Sequence, residues 1–549
     1  MHPFAGISRS AHWPARAGRV VATLAALVAA GAGAQVPAAP EAAPQSLPAA
    51  APARQAASFR LADVRLQGAR SVDAQRLEAL VQPYRGQDVT LVQLQTLADA
   101  ITALYREQGF FLAQAIVPVQ KIEGGVVEIS VIEGRLGRVD IAVAPDAPIS
   151  EERVRAFLAA VPAGEAVKAA SYERAMLLLS DQPGIKVSSG LQQGSTPGTV
   201  DLAVEVVAAS RWRFTAEVDN HGTLETGRWR GGGAARWNSP AGIGDNLDAR
   251  LMLSERKLAF GRAVYELPLG GSGLRAGLGV ARVQYEVGGA FGPLDAHGQA
   301  DVVDVSLNYP FIRQRSQNLF GRLVLESKRL KDEYRAVDVS LGKRITDVGL
   351  GWAWERRDNW LGGGYFASNG TLYFGRLRIG DAAARAADQA PGGPHTSGSY
   401  SRLLFQLSRL QSVASRHTLY YSIGGQWASK NLDASEKLAL GGSRAVRAYA
   451  ASEALVDQGW IQTLEWRWAA TDELTPYLFY DAAHGRQFKR LSAPGNGVNL
   501  RGAGLGLAWG RPGDFSLNAT LAWRSGTRRG VADGGGRNPR LFLHAQKAF

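Results

Sequence analysis

Two kinds of periodicity divide the chain into an early mixed region and a late region of alternating strands. Between Ser58 and about Val207, apolar residues recur at helical spacing in some segments and alternate with polar residues in others, which indicates an α/β fold. From Ser210 onward the helical spacing disappears, and segments such as 212–219 alternate apolar and polar side chains. The pattern therefore predicts two architectures in one chain.

The early region contains one arrangement of elements twice. In the first copy Thr90 and Gln93 form a capping box, helical spacing runs over residues 94–104, and Gly109 stands where a helix-ending glycine belongs. This copy is predicted to contain a strand at 59–67, a helix after Ser71, the capped helix, and strands at 114–120 and 126–132. The second copy is predicted to contain a strand at 138–143, helices at 150–158 and 171–179, and strands at 185–191 and 200–206. The repeat favours two tandem β-α-α-β-β modules, with one larger α/β domain as the alternative.

The late region has the alternation of a transmembrane β-barrel. Such strands present one face to lipid and the other to a polar lumen, with aromatic residues at the interfaces, and every tryptophan except Trp13 follows position 208. Residues 209–549 have room for about sixteen such strands with their connections, and Phe549 supplies a terminal aromatic residue. A soluble β-sandwich or propeller is the alternative.

Residues 1–34 have the features of a secretory signal. Three arginines precede an apolar run at 20–30, and an A-x-A cleavage site ends at Ala34. A short membrane anchor is the alternative, although the run is below the roughly 20 residues that a helix needs to span a bilayer. Residues 35–57 are rich in alanine and proline, which predicts a flexible linker.

Composition argues against several classes of activity. The sequence has no cysteine, its 8 histidines show no metal-ligand spacing, and HExxH, Walker and GxSxG motifs are absent. We therefore expect no catalytic residue, no metal and no cofactor, and we predict that the chain is not an enzyme. The formal charge is +13, but the basic residues are dispersed, which favours a polar lumen or anionic outer-membrane lipid over nucleic acid as their partner.

Short motifs in both regions carry a resemblance to one family. The segment 435–442, followed by Val446, Arg447, Ala448 and Tyr449, resembles the SE…LGG…VRGY segment of TpsB-type transporters of two-partner secretion, the haemolysin/haemagglutinin activation-secretion family. Further similar stretches lie at 117–120, 132–134, 238–245, 309–310 and 478–481. Together they cover the chain from Ser58 onward.

This resemblance implies a transmembrane β-barrel of about sixteen antiparallel strands, preceded by two α/β POTRA domains, the β-α-α-β-β modules of the family. The implied divisions are a signal peptide at 1–34, a linker at 35–57, POTRA domains at 58–134 and 135–208, and an outer-membrane barrel at 209–549. We predict no plug helix, because residues 35–57 are short and interrupted by prolines.

The family also implies a loop anchored inside the barrel. The candidate loop residues are Gly441, Gly442, Val446, Arg447 and Tyr449, and the candidate partners on the inner wall are Phe479 and Asp481 of an F-x-D-x-G motif. A bidentate pair between the arginine and the aspartate, shielded from water, would hold such a loop firmly. Ala448 and Ala483 replace glycines of the two motifs, so the anchor is expected to persist while the path of the loop is open.

The implied function is secretion of a partner protein. A TpsA-type exoprotein would arrive unfolded in the periplasm of a Gram-negative bacterium, and an exposed POTRA strand would bind it by β-augmentation before it crosses the barrel. The candidate edges contain Gln114, Val117 and Gln120 in the first module and Lys186 and Leu191 in the second, with no choice between them. The transporter is expected to act as a monomer. An insertase for other barrel proteins and a passive porin are the competing functions.

Overall fold

The computed structural model describes residues 57–491, 495–532 and 537–549. The predicted signal peptide and nearly all of the predicted linker lie outside these residues. No helix within the described ranges is long and apolar enough to cross a membrane. The described chain forms two compact units, one of residues 57–108 with 113–133 and one of residues 109–112 with 134–549.

The first of these units is built around a three-stranded sheet that, with its two helices, has the predicted β-α-α-β-β order, and a two-stranded sheet that was not predicted is added to it. Its elements are β1 (Ser58–Arg60), β2 (Asp63–Gln67), α1 (Ala74–Val81), β3 (Asp88–Thr90), α2 (Leu91–Glu107), β4 (Gln114–Ile116) and β5 (Val126–Ile132). β5 is the central strand, parallel to β2 and antiparallel to β4. The capping box of α2 is confirmed, since the Thr90 hydroxyl accepts from the Gln93 N–H and the Gln93 side chain accepts from the Thr90 N–H at 2.8 Å.

The strand predicted at 59–67 is wrong in one respect, because the chain makes two strands there. Leu61 is fully buried, and its N–H donates to the Gln87 carbonyl at 2.9 Å. This turn lets β1 pair with β3 while β2 pairs with β5. A buried side chain therefore divides a segment whose alternation alone reads as continuous.

The strand predicted at 114–120 is also wrong in its length, because it stops after three residues and leaves Val117 and Gln120 outside. Pro118 has no N–H to donate to a ladder. Beyond it, the Gln120 side chain takes the place of a strand: its amide accepts from the Glu128 N–H at 2.8 Å and donates to the Glu128 carbonyl at 2.7 Å. This side chain covers the part of the β5 edge that β4 does not reach.

The other unit opens with the predicted repeat. Its first elements are β6 (Arg135–Val143), α3 (Glu151–Leu158), α4 (Ala169–Ser180), β7 (Ile185–Gln193) and β8 (Thr199–Ala208). β8 is central, parallel to β6 and antiparallel to β7, so the two modules have separate sheets of one topology and the tandem repeat is confirmed. Ser150 caps α3 as predicted, whereas α4 begins at Ala169 rather than Ser171 because the preceding alanines favour helix.

Sixteen antiparallel strands then close into a barrel, which confirms the predicted fold class rather than a soluble sandwich or propeller. The strands up to the longest connection are β9 (Trp212–Asp219), β10 (Arg230–Asn238), β11 (Asn246–Ser254), β12 (Ala259–Pro268), β13 (Arg275–Val287), β14 (Ala296–Arg313), β15 (Gln317–Tyr334), β16 (Val339–Asp358), β17 (Gly364–Ile379), β18 (Gly398–Ala414) and β19 (His417–Ala428). That connection holds the two-stranded pair β20 (Leu438–Ala439) and β21 (Leu455–Val456), and the barrel resumes with β22 (Gln458–Trp468), β23 (Leu474–Arg486), β24 (Gly497–Arg511), β25 (Phe515–Arg524) and β26 (Arg540–Ala548). A further helix, α5 (Ala382–Gln389), follows β17 and was not predicted.

Each barrel strand turns one face inward and the other outward. On β13, Ala281, Val283 and Tyr285 are buried, whereas Leu278 and Val280 on the other face are about half exposed. An apolar outward face of this kind is what a lipid environment requires. The barrel closes where β26 pairs with β9, and the terminal Phe549 extends this pairing beyond the last strand through its N–H to the Phe214 carbonyl at 2.9 Å.

The second module lies against one end of the barrel. At that end Arg313 of β14 donates two hydrogen bonds to Asp181, at 2.7 and 2.8 Å, and the Ser239 hydroxyl donates to the Pro148 carbonyl at 2.9 Å. We call this the module end, and the opposite end the far end. Because strands alternate in direction, the connections after β15, β17 and β19 lie at the far end.

Candidate functional site

The connection between β19 and β22, residues 429–457, folds back from the far end into the barrel, and we call it the lumen loop. Its apolar side chains join a buried cluster with the inner wall, which includes Leu438, Leu440, Val446, Tyr449 and Val456 from the loop and Ile461, Phe479, Val498 and Leu500 from the strands. Full burial of each large side chain is worth about 1.5–3 kcal/mol. The loop is therefore packed as part of the interior.

Two of the predicted motif glycines give the loop its tight turn. Gly442 has φ +102°, a backbone conformation that favours glycine, and its N–H donates to the Tyr449 carbonyl at 3.0 Å. A Cβ on Gly441 would collide with the Ala450 carbonyl oxygen. The Val446 N–H closes the turn on the Leu440 carbonyl at 3.0 Å. The turn presents Arg447 to the wall.

All three guanidinium nitrogens of Arg447 donate hydrogen bonds to carboxylates of the inner wall. Nε and Nη2 donate to the two carboxylate oxygens of Asp481 at 2.8 and 2.7 Å, and Nη1 donates to Glu465 Oε1 at 2.7 Å. The Arg447 N–H adds a bond to Asp481 at 3.1 Å, and the Phe479 ring centroid lies 3.5 Å from the guanidinium carbon. The structure thus brings the candidate loop arginine together with both candidate wall residues and with Glu465, which was not predicted.

The carboxylates around Arg447 have further partners of their own. Thr463 donates its hydroxyl to Asp481 at 2.9 Å, and Arg467 donates to Glu465 at 2.8 and 2.6 Å. Asp481 has no exposed surface and Arg447 is 8% exposed. Two arginines therefore balance two carboxylates in a poorly screened site, where loss of one charge leaves another uncompensated. We call these four residues the arginine latch.

Comparisons with known proteins identify the architecture that carries the latch. Residues 198–509 match the family model described as haemolysin secretion/activation protein ShlB/FhaC/HecB, and residues 59–134 match the model of the ShlB-type POTRA domain. The chain belongs to the ShlB/FhaC/HecB family. The first unit is accordingly a POTRA domain, and the loop and wall described above are parts of a ShlB-type barrel.

Relatives span most of the chain. The heme/hemopexin transporter protein HuxB of Haemophilus influenzae (strain 86-028NP) is 27% identical over 487 residues, which cover 85% of this chain and 84% of the relative. The hemolysin transporter protein ShlB of Serratia marcescens is 25% identical over 410 residues, which cover 73% and 70%. The solved structure of CdiB from Escherichia coli has a TM-score of 0.73 at 18% identity and covers 92% of this chain and 93% of that chain. This last likeness establishes a shared fold.

Two alanines that replace glycines of the ShlB-type motifs fit their surroundings. Neither Ala448 nor Ala483 has a positive φ, so neither position needs the backbone freedom of glycine. Across from the loop, a Cβ added to Gly502 would lie 2.6 Å from the Cβ of Ala448. The glycine on β24 therefore leaves the space that the Ala448 methyl group fills.

A second charged anchor, absent from the sequence predictions, lies earlier in the lumen loop. Glu436 is 2% exposed and forms salt bridges with Lys328 of β15 at 2.6 Å and with Arg402 of β18 at 2.5 Å. Arg402 in turn stacks over the Tyr373 ring, with its guanidinium carbon 4.4 Å from the centroid. Glu436 lies inside the segment 435–442 that resembles the family, and this position was the signal available in the sequence. The resemblance did not indicate which residues would pair with it.

Further polar contacts fix both limbs of the lumen loop. Asp433 pairs with Lys343 of β16 at 2.9 Å, and within the loop Lys437 pairs with Asp457 at 3.2 Å. On the other limb, the Glu453 carboxylate accepts from the backbone N–H of Val531 and Ala532, which lie between β25 and β26. The loop is thus tied to several strands as well as to the latch.

The candidate POTRA residues differ in their backbone roles. Gln114 begins the short β4, whereas Lys186 and Leu191 belong to the longer edge strand β7. Gly184 accepts from the Ala209 N–H at 2.8 Å and the Gly194 N–H donates to Thr199 at 2.9 Å, so even-numbered residues of β7 bond to β8. Odd-numbered residues, Leu191 included, direct their N–H to the free edge. In the described chain no strand pairs with that edge.

Glu133, in one of the stretches similar to the family, ties the first module together. It accepts from the N–H groups of Arg70 and Ser71, both at 2.6 Å, and from the hydroxyls of Ser71 and Tyr105, both at 2.9 Å. Burial opposes its ionisation, but these hydrogen bonds prevail and hold the pKa of Glu133 below its usual value. The residue serves the fold of the module and presents no free group to a partner.

Proposed function

We propose that this protein secretes a partner exoprotein by the two-partner route of its family. The observation that carries the proposal is the arginine latch, which seats a packed loop inside a closed barrel adjoined by a POTRA-like module. The partner would enter at the module end as an extended chain, and the lumen loop would move to let it pass. The protein's role is transport, and no step calls for catalysis.

We further propose that the barrel lies in the outer membrane of a Gram-negative bacterium, with its modules in the periplasm. The half-exposed apolar outward faces support a lipid environment. The module end would then face the periplasm and the far end the exterior. The proposed divisions are the POTRA domains 58–134 and 135–208 and the barrel 209–549, after the signal peptide and linker. Because sixteen strands of one chain close the barrel, one chain is proposed to suffice.

The capture site is proposed to be the free edge of β7. A nine-residue edge strand offers a row of main-chain donors and acceptors to an extended partner, and main-chain pairing tolerates many partner sequences. The competing edge at β4 has three residues, and the Gln120 side chain covers the backbone beyond it. Leu191 therefore belongs to the proposed site through its backbone N–H. The backbone of Lys186 is bonded to β8, so only the Lys186 side chain is available to a partner.

The test is a paired proteomic comparison of culture supernatant and outer membrane, with the gene intact, deleted and restored. Loss of one or a few large secreted proteins, with other barrel proteins unchanged and export regained on restoration, would support a dedicated exporter. A general fall in other barrel proteins would instead indicate an insertase. An unchanged supernatant would contradict secretion.

A further inference from the structure

Arginines of three neighbouring strands lie directly opposite one another on the outward face of the barrel. The strand register pairs Arg329 of β15 with Arg344 of β16, and Arg344 with Arg378 of β17. Arg376 lies two residues before Arg378 on the same face, and all four side chains are exposed. We call Arg344, Arg376 and Arg378 the outer arginine cluster.

The barrel supplies little negative charge to this cluster. Like charges directly opposite each other in a sheet are destabilising. The one acidic residue in the same row is Asp301, opposite Arg329, and it is paired with Arg282 at 2.5 Å. Nearby, Glu333 pairs with Lys331, and Asp381 caps α5 through the Ala384 N–H at 2.7 Å. No ion pair of the cluster arginines occurs among the described residues. The cluster is therefore a site of uncompensated positive charge.

The surroundings of the cluster change from polar to apolar toward the module end. A shallow cavity of about 580 Å³ is lined by the three arginines and by Ser327, Thr346, Phe374, Gly375, Ser399 and Tyr400, so Phe374 forms its apolar side. One step further along the same outward faces lie Leu325, Val348, Leu350 and Phe374, each between 39% and 52% exposed. An occupant that matches both features carries an anionic head above apolar chains.

The cluster also lies near the far end of its strands. Arg378 is followed by one residue before β17 ends, and β16 begins a few residues before Arg344. In the proposed orientation, the change from apolar to charged outward side chains at this level is what the outer boundary of the membrane requires. Charged side chains are tolerated there, whereas apolar ones face the acyl chains below.

We propose that the outer arginine cluster binds the phosphate groups of a phosphorylated glycolipid of the outer leaflet. This inference rests on the proposed outer-membrane location. Arginine guanidiniums donate forked hydrogen bonds to phosphate oxygens, the hydroxyls of Ser327, Thr346 and Ser399 supply further donors, and the acyl chains run over the apolar residues beneath. The bound lipid relieves the repulsion between the opposed arginines and fixes this wall of the barrel in the membrane.

The test measures lipid on the purified full-length protein and does not depend on secretion. The triple variant Arg344→Gln, Arg376→Gln, Arg378→Gln is compared with wild type and with a control that loses two outward arginines on the other side of the barrel, Arg486→Gln with Arg501→Gln. Heat-modifiable migration checks that each barrel is folded. Phosphorus analysis and native mass spectrometry measure co-purified glycolipid, and titration with bisphosphorylated lipid A in detergent micelles measures affinity.

We expect the triple variant to lose co-purified glycolipid and to bind lipid A at least about tenfold more weakly, the effect of about 1.4 kcal/mol, while the control retains both. Dephosphorylated lipid A should bind wild type as weakly as lipid A binds the triple variant. Equal binding of the two lipids, equal lipid on the triple variant, or binding of inorganic phosphate as tight as that of lipid A would each overturn the proposal. If the glycolipid binds as expected but deletion leaves the supernatant unchanged, the secretion proposal fails and this inference stands.

Discussion

Arg447 joins two surfaces that would otherwise separate. Three of its nitrogens are satisfied by two buried carboxylates, and a fourth bond comes from its own backbone. A charge in such a site is tolerated because its partners are in place, and the cost of removing one partner exceeds the value of an exposed ion pair. The strength of the latch therefore depends on the complete set.

Replacing Arg447 with alanine should loosen the lumen loop at the inner wall without unfolding the barrel. Asp481 and Glu465 would remain buried with one guanidinium between them, at a cost of about 3–5 kcal/mol to the closed arrangement. The barrel should still insert and migrate as a heat-modifiable protein, while the loop becomes sensitive to external protease and export of the partner falls. Arg444→Ala, an exposed change in the same loop, is the control. Normal export and a protected loop in Arg447→Ala would refute the latch.

The contact between Ala448 and Gly502 predicts a compensating pair. Gly502→Ala should displace the loop by overpacking, at a cost of about 1–3 kcal/mol, because its new methyl group would occupy the space of the Ala448 methyl group. Ala448→Gly in the same chain should restore the protease protection of the loop. If the double variant is no better protected than Gly502→Ala alone, the two positions do not share this space.

The edges of the two small sheets differ although their topologies agree. In the first module a glutamine side chain replaces the strand backbone beside Glu128, and in the second module a full-length edge strand stays open. Main-chain donors along an open edge are what β-augmentation requires. Edge length, rather than side-chain identity, therefore distinguishes the two candidate sites.

Ser189→Pro should weaken capture of the partner. The Ser189 N–H points to the free edge, so proline removes a donor there and leaves the ladder to β8 intact. We expect about tenfold weaker binding of the partner identified by the supernatant comparison, from the loss of about 1.4 kcal/mol. Ser189→Ala is matched to it, since both changes remove the hydroxyl that bonds Tyr172 at 2.9 Å. Equal affinity of the proline and alanine variants would exclude this edge.

The barrel has a loop tied across its interior. Contacts of the lumen loop reach β15, β16, β18, β22 and β23 through Lys328, Lys343, Arg402, Glu465 and Asp481. Because the loop is bonded to several strands, loss of one ion pair leaves the other ion pairs in place. Movement of the loop during transport then requires their joint release.

The single-channel conductance in planar bilayers should report this joint release. Arg447→Ala and Glu436→Gln should each raise conductance above that of wild type, because each removes one charged anchor of the loop, and the double variant should raise it further, because it removes two. The outward change Arg486→Gln should leave conductance unaltered. A double variant with the conductance of wild type would mean that the loop does not obstruct the lumen.

Local patterns were sufficient for much of the architecture. Strand alternation, the capping box of Thr90 and Gln93, and the repeat of one module depend on residues a few positions apart, and the structure confirms each of them. Strand ends were harder to predict from the sequence. The division at Leu61 follows from the burial of its side chain. The strand end before Val117 goes with the Gln120 side chain, which replaces a strand backbone beside Glu128. The alternation of apolar and polar residues predicts neither of these strand ends.

The meeting of distant charges was decided by the closed barrel. Glu436 contacts Lys328 across 108 positions of the chain, and the partners of Arg402, Glu465 and Asp301 depend equally on which strands are neighbours and in what register. Residue type and spacing specify that these side chains point inward or outward, because alternation is a property of each strand alone. Register and closure bring them together, because hydrogen bonding between strands sets their positions relative to one another. The sequence therefore determined the elements, the family and the expected pair of Arg447 with Asp481. The tertiary structure determined the additional latch residues Glu465 and Arg467, the second anchor at Glu436 and the outer arginine cluster.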